Sequence, residues 1–307
     1  MRLRVNKDKK YNIAKQWNLR NNASGWLLML PLIVVMYLKV WRPTVMGVVW
    51  SFFRMKGFTP VEFIGLQNYI EVIRDTQFWP VMGNTVEYVI LSLIVGFIPP
   101  IIIAIFLNEM IHFKNAFRVI IYLPVLIPGI AAMLIWYFIY FPDGTGLLNM
   151  LLGKFGIEPY GWLNDGRFTK LFIIIHMTWK GFAGTMLLYL ASLQSIPLEL
   201  YEAAVIDGAS PWKRLWNVTR PQISGTLILT FINQIIGVFQ IMQEPMAMTG
   251  GGPNGASISI GYQLYKYGFV SGRTGHAMAL GVIIFIALIW LTLLYFKLQK
   301  KIEDNYL

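Results

Sequence analysis

The chain has 307 residues, 56% hydrophobic and only 13% charged, with a mean hydropathy of +0.55. A water-soluble domain carries about 25% charged residues to cover its surface, so this composition excludes an ordinary soluble globule and indicates a polytopic membrane protein. The net charge of +11 does not argue for nucleic acid. Seven basic residues (Arg2, Arg4, Lys7, Lys9, Lys10, Lys15 and Arg20) crowd the first 25 positions, the pattern of a cytoplasmic tail under the positive-inside rule.

The absence of cysteine removes disulfides, thiolate metal sites and cysteine nucleophiles. The histidines, His112, His176 and His276, are far apart with no H-E-x-x-H, and there is no G-x-x-x-x-G-K-[ST]. No metal site is expected, and any ATP that drives this protein must be bound by another polypeptide. No small-residue cleavage site follows the first apolar run, which argues against a cleaved signal peptide.

Apolar runs of about 20 residues match a hydrocarbon core of roughly 30 Å. Six spans are expected, at 26–53, 81–107, 117–141, 169–190, 222–243 and 276–297, making one all-α polytopic membrane domain over 26–297 between a basic tail (1–25) and a short tail (298–307). With the N-terminus inside, Lys and Arg number 15 on the inner segments and 8 on the outer ones, which places both termini in the cytoplasm.

In span one, Lys39 and Arg42 interrupt the apolar run; a single tilted helix is expected, the alternative being a span that ends early with 43–53 at the interface. Span two carries Asn84, Glu87 and the pair Pro99-Pro100, and span three carries Pro124 and Pro128. These prolines remove backbone donors and predict kinks, tolerated where neighbouring protein satisfies the freed carbonyls. In span four His176, Lys180 and Gly184 recur at i, i+4 and i+8, with Trp179 adjacent. Glu87 and Lys180 are expected to pair, since each would otherwise be a lone charge inside the membrane.

Between spans four and five, the loop 191–221 contains "YEAAVIDGASPWKRLW" (201–216). Pro197 suits a helix start, the helix runs to about Ile206, and Gly208 can end it in the left-handed conformation. Ser210-Pro211 restarts a helix, with Trp212, Leu215, Trp216 and Thr219 on one face and Lys213, Arg214 and Asn217 on the other. Such a helix lies along a membrane surface or in a protein groove. Ala203-Ala204 leaves a bare patch for close approach, beside Glu202. A solvated loop is the plainer alternative.

Span five aligns Thr226, Thr230, Asn233, Gly237, Gln240 and Glu244 on one polar face, flanked by Gln234 and Gln243. That face reads either as a solute pathway, amides facing a hydroxyl-rich solute and Trp179 a sugar ring, or as helix–helix hydrogen bonding; for Asn84 the second is favoured. The outer "MTGGGPNG" (248–255) has no lysine after its glycines and reads as a turn, not a phosphate cradle.

The segment "YEAAVIDGAS" followed by "PWKRLWNVTRP" resembles the E-A-A-x3-G-x9-I-x-L-P motif of ABC-importer permeases. Glu202, Ala203, Ala204, Gly208 and Pro221 match, Val218 stands for isoleucine, and Arg220 departs from leucine. With "FRVIIYLPVLIPGIAAMLIWYFIYFPDGTGLLNMLL", "TWKGFAGTMLLYLASLQSIPLELYEAA" and "MTGGGPNGAS", the chain resembles the MalF-like (UgpA-like) subunit of the carbohydrate-uptake subfamily over roughly 26–297. The resemblance implies a type I permease fold in which the elbow is a coupling helix, with Glu202 contacting the ATPase, Gly208 setting the bend, and Asp207, Trp212, Lys213 and Arg214 within the same docking segment. It implies solute between spans four and five, at Trp179, Lys180, Gly181 and Gln234. It also implies partners: a MalG-like permease, two ABC ATPase subunits holding ATP and Mg, and an extracellular or periplasmic solute-binding protein near the outer glycine-rich loop. The expected function is the permease subunit of a sugar importer in a bacterial cell membrane. The rivals are a secondary transporter coupled to protons through Glu87, His176 and Lys180, and a membrane enzyme, for which neither triad nor metal site is present.

Overall fold

The computed structural model describes residues 23–110 and 112–306; most of the basic tail therefore lies outside the described residues. Two compact units divide at Trp50. The first is span one, a continuous helix from Ala23 to Trp50 whose turn Tyr37–Trp41 widens to π-helix. The single helix expected through Lys39 and Arg42 is therefore present, and both side chains are exposed.

The second unit begins with an antiparallel hairpin, Phe53–Lys56 paired with Thr59–Phe63. This is the one departure from an all-α chain among the described residues. Span two is helical from Phe78 to Glu109, with a π-turn at Ser92–Phe97 just before Pro99-Pro100, a place where the widened turn absorbs missing proline donors. Span four is one helix, Thr169–Gln194, and span six runs from Thr274 through Tyr306, so the expected C-terminal tail is a helical continuation of it.

Spans three and five are broken. Lys114–Leu126 and Gly129–Ile139 meet at 98°, and Pro211–Gln222 and Ser224–Phe239 meet at 72°. Four helices are long and apolar enough to cross a membrane, six if each bent pair is one span. The first break has a direct cause. Pro128 cannot donate to the Pro124 carbonyl, and the residue before a proline is pushed out of the helical region; Ile127 sits at φ −73°, ψ 129°. The second break sets the second helix of the elbow, which runs on through Gln222, at 72° to the helix Ser224–Phe239 of span five.

Lipid is as apolar as leucine, so packing and hydrogen bonds hold helices together in a membrane more than water exclusion does. One buried cluster joins Tyr88, Met133, Ile173 and Val238 from spans two to five. Another joins Ala104, Leu107, Met186, Tyr189, Leu193 and Ile223. Between spans four and five, Tyr189 Oη meets Thr230 Oγ1 at 2.6 Å and Ser192 Oγ meets Thr226 Oγ1 at 2.7 Å. Thr226 and Thr230 thus take part in helix association.

The glycine-rich loop is sewn to the start of span two. Asn84 Nδ2 donates to the carbonyls of Gly255 (2.9 Å) and Ile258 (3.1 Å), Tyr88 Oη to that of Ser257 (3.0 Å), and the Ile260 N–H to Thr85 Oγ1 (2.9 Å). Gly251 lies at φ +89°, where a Cβ would come within 2.8 Å of Ile258 Cγ1, so this position admits only glycine. The reading of 248–255 as turn chemistry holds.

Candidate functional site

Two regions bear on function, and span two separates them. The glycine-rich loop binds its beginning at Asn84. The elbow borders its end, where Ile105, Asn108 and Glu109 line a cavity of about 440 Å³ with Leu193, Tyr201, Trp212, Arg214 and Thr219. The loop and the elbow are therefore at opposite ends of the helix bundle.

The elbow forms much as its residues dictate. The first helix is Leu198–Ile206, preceded by Pro197. Gly208 takes φ +70°, a conformation that costs a residue with a side chain about 1–2 kcal/mol. Ser210 Oγ accepts the N–H of Lys213 at 3.4 Å and Pro211 opens the second helix. Glu202, Ala203, Asp207, Gly208, Trp212 and Lys213 are exposed, and Ala204 and Arg214 are half-buried. Around them Val205, Ile206 (85% exposed) and Trp212 (66% exposed) present apolar surface left uncovered among the described residues. Trp212 and Trp216 meet edge to face at 5.7 Å, and the guanidinium of Arg220 lies 4.8 Å from the centre of the Trp216 ring. The arginine that replaces the motif leucine therefore makes a cation–π contact one turn back along the same helix.

The second region is a cavity of about 190 Å³ inside the bundle, lined by Gly96 and Pro100 of span two, Thr178, Gly181 and Thr185 of span four, and Asn233, Gln234 and Gly237 of span five, among others. Gly96 makes room for it: a Cβ there would lie 2.8 Å from Gln234 Nε2 and 3.3 Å from Thr178 Oγ1. Of the expected pathway residues, Gly181, Asn233, Gln234 and Gly237 come together here.

The others go elsewhere. Trp179 packs on Trp136, ring centres 5.6 Å apart. Gln240 ends the helix Ser224–Phe239, and Glu244 sits in the first turn of the short helix Gln243–Thr249; neither lines the cavity. His176 is 2% exposed, its ring 6.1 Å from that of Trp136, with neither ring nitrogen hydrogen-bonded.

The expected Glu87–Lys180 pair does not form. Glu87 instead binds Lys170 at 3.0 Å. Lys170 is 5% exposed at its side chain, and its Nζ also donates to Asn84 Oδ1 (3.2 Å) and to the Ala256 carbonyl (3.0 Å). Spans two and four run in the same direction, so Lys180, ten residues further along, lies about 15 Å deeper at a 1.5 Å rise. There its ammonium donates to the carbonyls of Pro124 (2.9 Å), Val125 (3.2 Å) and Ile127. All three lie at the break in span three, where the Pro124 carbonyl also accepts the Ile127 N–H at 3.3 Å, and a cation suits a helix C-terminus.

Sequence reasoning missed Thr178 and Thr185, which with Gly181 recur at i, i+3 and i+7. The signal was available, but hydroxyls in a membrane helix speak more softly than the ionisable His176 and Lys180 on the adjacent face. It also treated Lys170 as one more outer charge, where it is the buried tie between spans two and four and the glycine-rich loop.

Comparison with known proteins agrees with this architecture. Residues 101–304 match the family described as binding-protein-dependent transport system inner membrane component. The chain is 33% identical over 291 residues to the probable ABC transporter permease protein YurN of Bacillus subtilis, covering 93% of this chain and 99% of that one. It is 32% identical over 295 residues to the trehalose/maltose transport system permease protein MalF of Thermococcus litoralis, covering 95% and 99%. A chain in the crystal structure of a bacterial ABC transporter involved in import of the acidic polysaccharide alginate superposes with a TM-score of 0.82 at 23% identity, covering 92% of this chain and 97% of that one, which speaks to the fold. The chain therefore belongs to the family of inner-membrane components of binding-protein-dependent transport systems.

Proposed function

We propose that this chain is the permease subunit of an ATP-driven sugar importer, forming half of the translocation pathway and gripping a separate ATPase through its elbow. The observation that carries this reading is the elbow itself: an ordered, glycine-bent pair of helices with Glu202, Val205, Ile206 and Trp212 uncovered, continuous through the 72° bend with span five. A push on the elbow is thereby transmitted to the helix that bears Asn233 and Gln234. The permeases it resembles include one named for trehalose and maltose, which supports sugar as the solute class.

In this arrangement a homologous MalG-like permease completes the pathway, two ABC ATPase subunits bind ATP and Mg, and an extracellular or periplasmic binding protein delivers solute beside the glycine-rich loop. Both termini lie in the cytoplasm of a bacterial cell. The chain is a transport component and not an enzyme; ATP is hydrolysed by the partner. A proton-coupled transporter loses its relay, since Glu87 is engaged by Lys170 and Lys180 by backbone carbonyls. The test is Glu202→Lys in the assembled transporter. Uptake should fall at least about tenfold, a change of 1.4 kcal/mol or more in coupling, while the protein inserts and folds; normal uptake would refute the elbow's role.

A further inference from the structure

Resting on the importer reading, we infer that the part of the solute passing this subunit is uncharged: the pathway is built for a neutral polyhydroxyl compound and against phosphate- or carboxylate-bearing ones. The cavity in the bundle is lined by two amides (Asn233 and Gln234), two hydroxyls (Thr178 and Thr185), glycines and apolar side chains, and by no ionisable residue. Amides and hydroxyls offer both donors and acceptors, which is what sugar hydroxyls need.

The neighbouring charges are already committed. Lys180, the one cation deep in span four and the natural counter-ion for an anionic solute, gives its ammonium to the carbonyls of Pro124, Val125 and Ile127. Withdrawing it would take the lysine donor from the Val125 and Ile127 carbonyls. Lys170 is held by Glu87, Asn84 and Ala256. His176 is turned away, buried against Trp136. A carboxylate or phosphate entering the cavity would lose its hydration and gain no counter-charge from the described residues that line it, a penalty of several kcal/mol for a buried ion. An acidic polysaccharide such as alginate is therefore the wrong cargo for this half of the pathway.

The complete transporter, reconstituted in liposomes with its binding protein, is offered neutral galacto-oligosaccharides, galacturonate oligomers of the same length, trehalose and glycerol 3-phosphate. ATPase stimulation and uptake are measured at pH 7. Stimulation is expected only from neutral members, at least about tenfold above their anionic counterparts; stimulation by galacturonate oligomers or glycerol 3-phosphate overturns the inference. An assembled complex whose ATPase activity is indifferent to its own binding protein would instead refute the importer reading, and the charge rule with it. A second measurement separates support from contact: Lys180→Gln should lower the rate without altering the neutral preference or the apparent KM of a stimulating sugar. A KM rise of about tenfold in that variant would place the ammonium on the solute and sink the inference.

Discussion

Lys180 Nζ lies 2.9 Å from the carbonyl oxygen of Pro124, so the lysine in the middle of span four closes the break in the middle of span three. A membrane helix bent by 98° exposes acceptors that no water in the hydrocarbon core can satisfy. The lysine and the prolines explain one another: a midplane cation costs about 2.5–3.5 kcal/mol on insertion scales, and here it is offset by the carbonyls that the break releases.

Removing the ammonium takes the lysine donor from the Val125 and Ile127 carbonyls, while the Pro124 carbonyl keeps the Ile127 N–H at 3.3 Å. Lys180→Met should destabilise the complex by about 1–3 kcal/mol, the cost of stranding buried polar groups, and should slow transport. Lys180→Arg should recover part of both. The melting temperature of the purified complex and initial uptake rates check this.

Glu87 answers to Lys170 and not to Lys180. In a double-mutant cycle, Glu87→Gln and Lys170→Met should be strongly non-additive, with a coupling of about 1–3 kcal/mol. The lower part of that range is expected because the Glu87 side chain is 46% exposed. Glu87→Gln and Lys180→Met should simply add. Chemical denaturation of the four proteins in each cycle decides between the pairings.

Much of this architecture is written in the residues, and the elbow most plainly. Pro197, Gly208 and Ser210-Pro211 act through local backbone rules, so the first helix could be placed to its last residue, Ile206. The kink in span three was legible from Pro124 and Pro128 for the same reason. Long-range pairings were not. Glu87 could have met either lysine of span four, and the choice depends on how far spans two and four slide past each other, which no local pattern encodes. The pathway face was half legible: the spacing of Asn233 and Gly237 marked it, but the same spacing carried Thr226 and Thr230, which bond to span four instead.

Gly96→Ala tests the cavity without dismantling the bundle. The added Cβ would meet the flexible end of Gln234 at 2.8 Å, so the carboxamide shifts while the helices stay packed. Stability should change by less than about 1 kcal/mol. Apparent KM for the transported solute should rise about three- to tenfold, read from solute-stimulated ATPase activity.

The segment 142–168 predicts its own acid response. The Arg167 guanidinium, hydrogen-bonded to Asp165 at 2.7 and 3.0 Å, together with Tyr160 Oη at 2.7 Å and the Arg167 N–H, holds the Asp165 carboxyl well below the usual range against a smaller desolvation effect. A depressed carboxyl stabilises the fold above its unfolded value of about 3.9 and loses that contribution as pH falls through its folded value. Amide exchange across 158–168 should therefore be insensitive to Asp165 between pH 7 and 5 and should accelerate only in stronger acid. Arg167→Ala should move that onset upward; identical profiles would remove Arg167 as its cause.

The central claim is that the elbow is held by a separate ATPase. The chain has no cysteine, so Ile206→Cys creates a unique thiol on its most exposed apolar side chain. In the assembled transporter, a short thiol-reactive cross-linker at position 206 should capture the ATPase subunit, with a yield that changes when ATP binds. Capture of lipid reagents alone, or labelling of position 206 from outside the cell, would contradict the account.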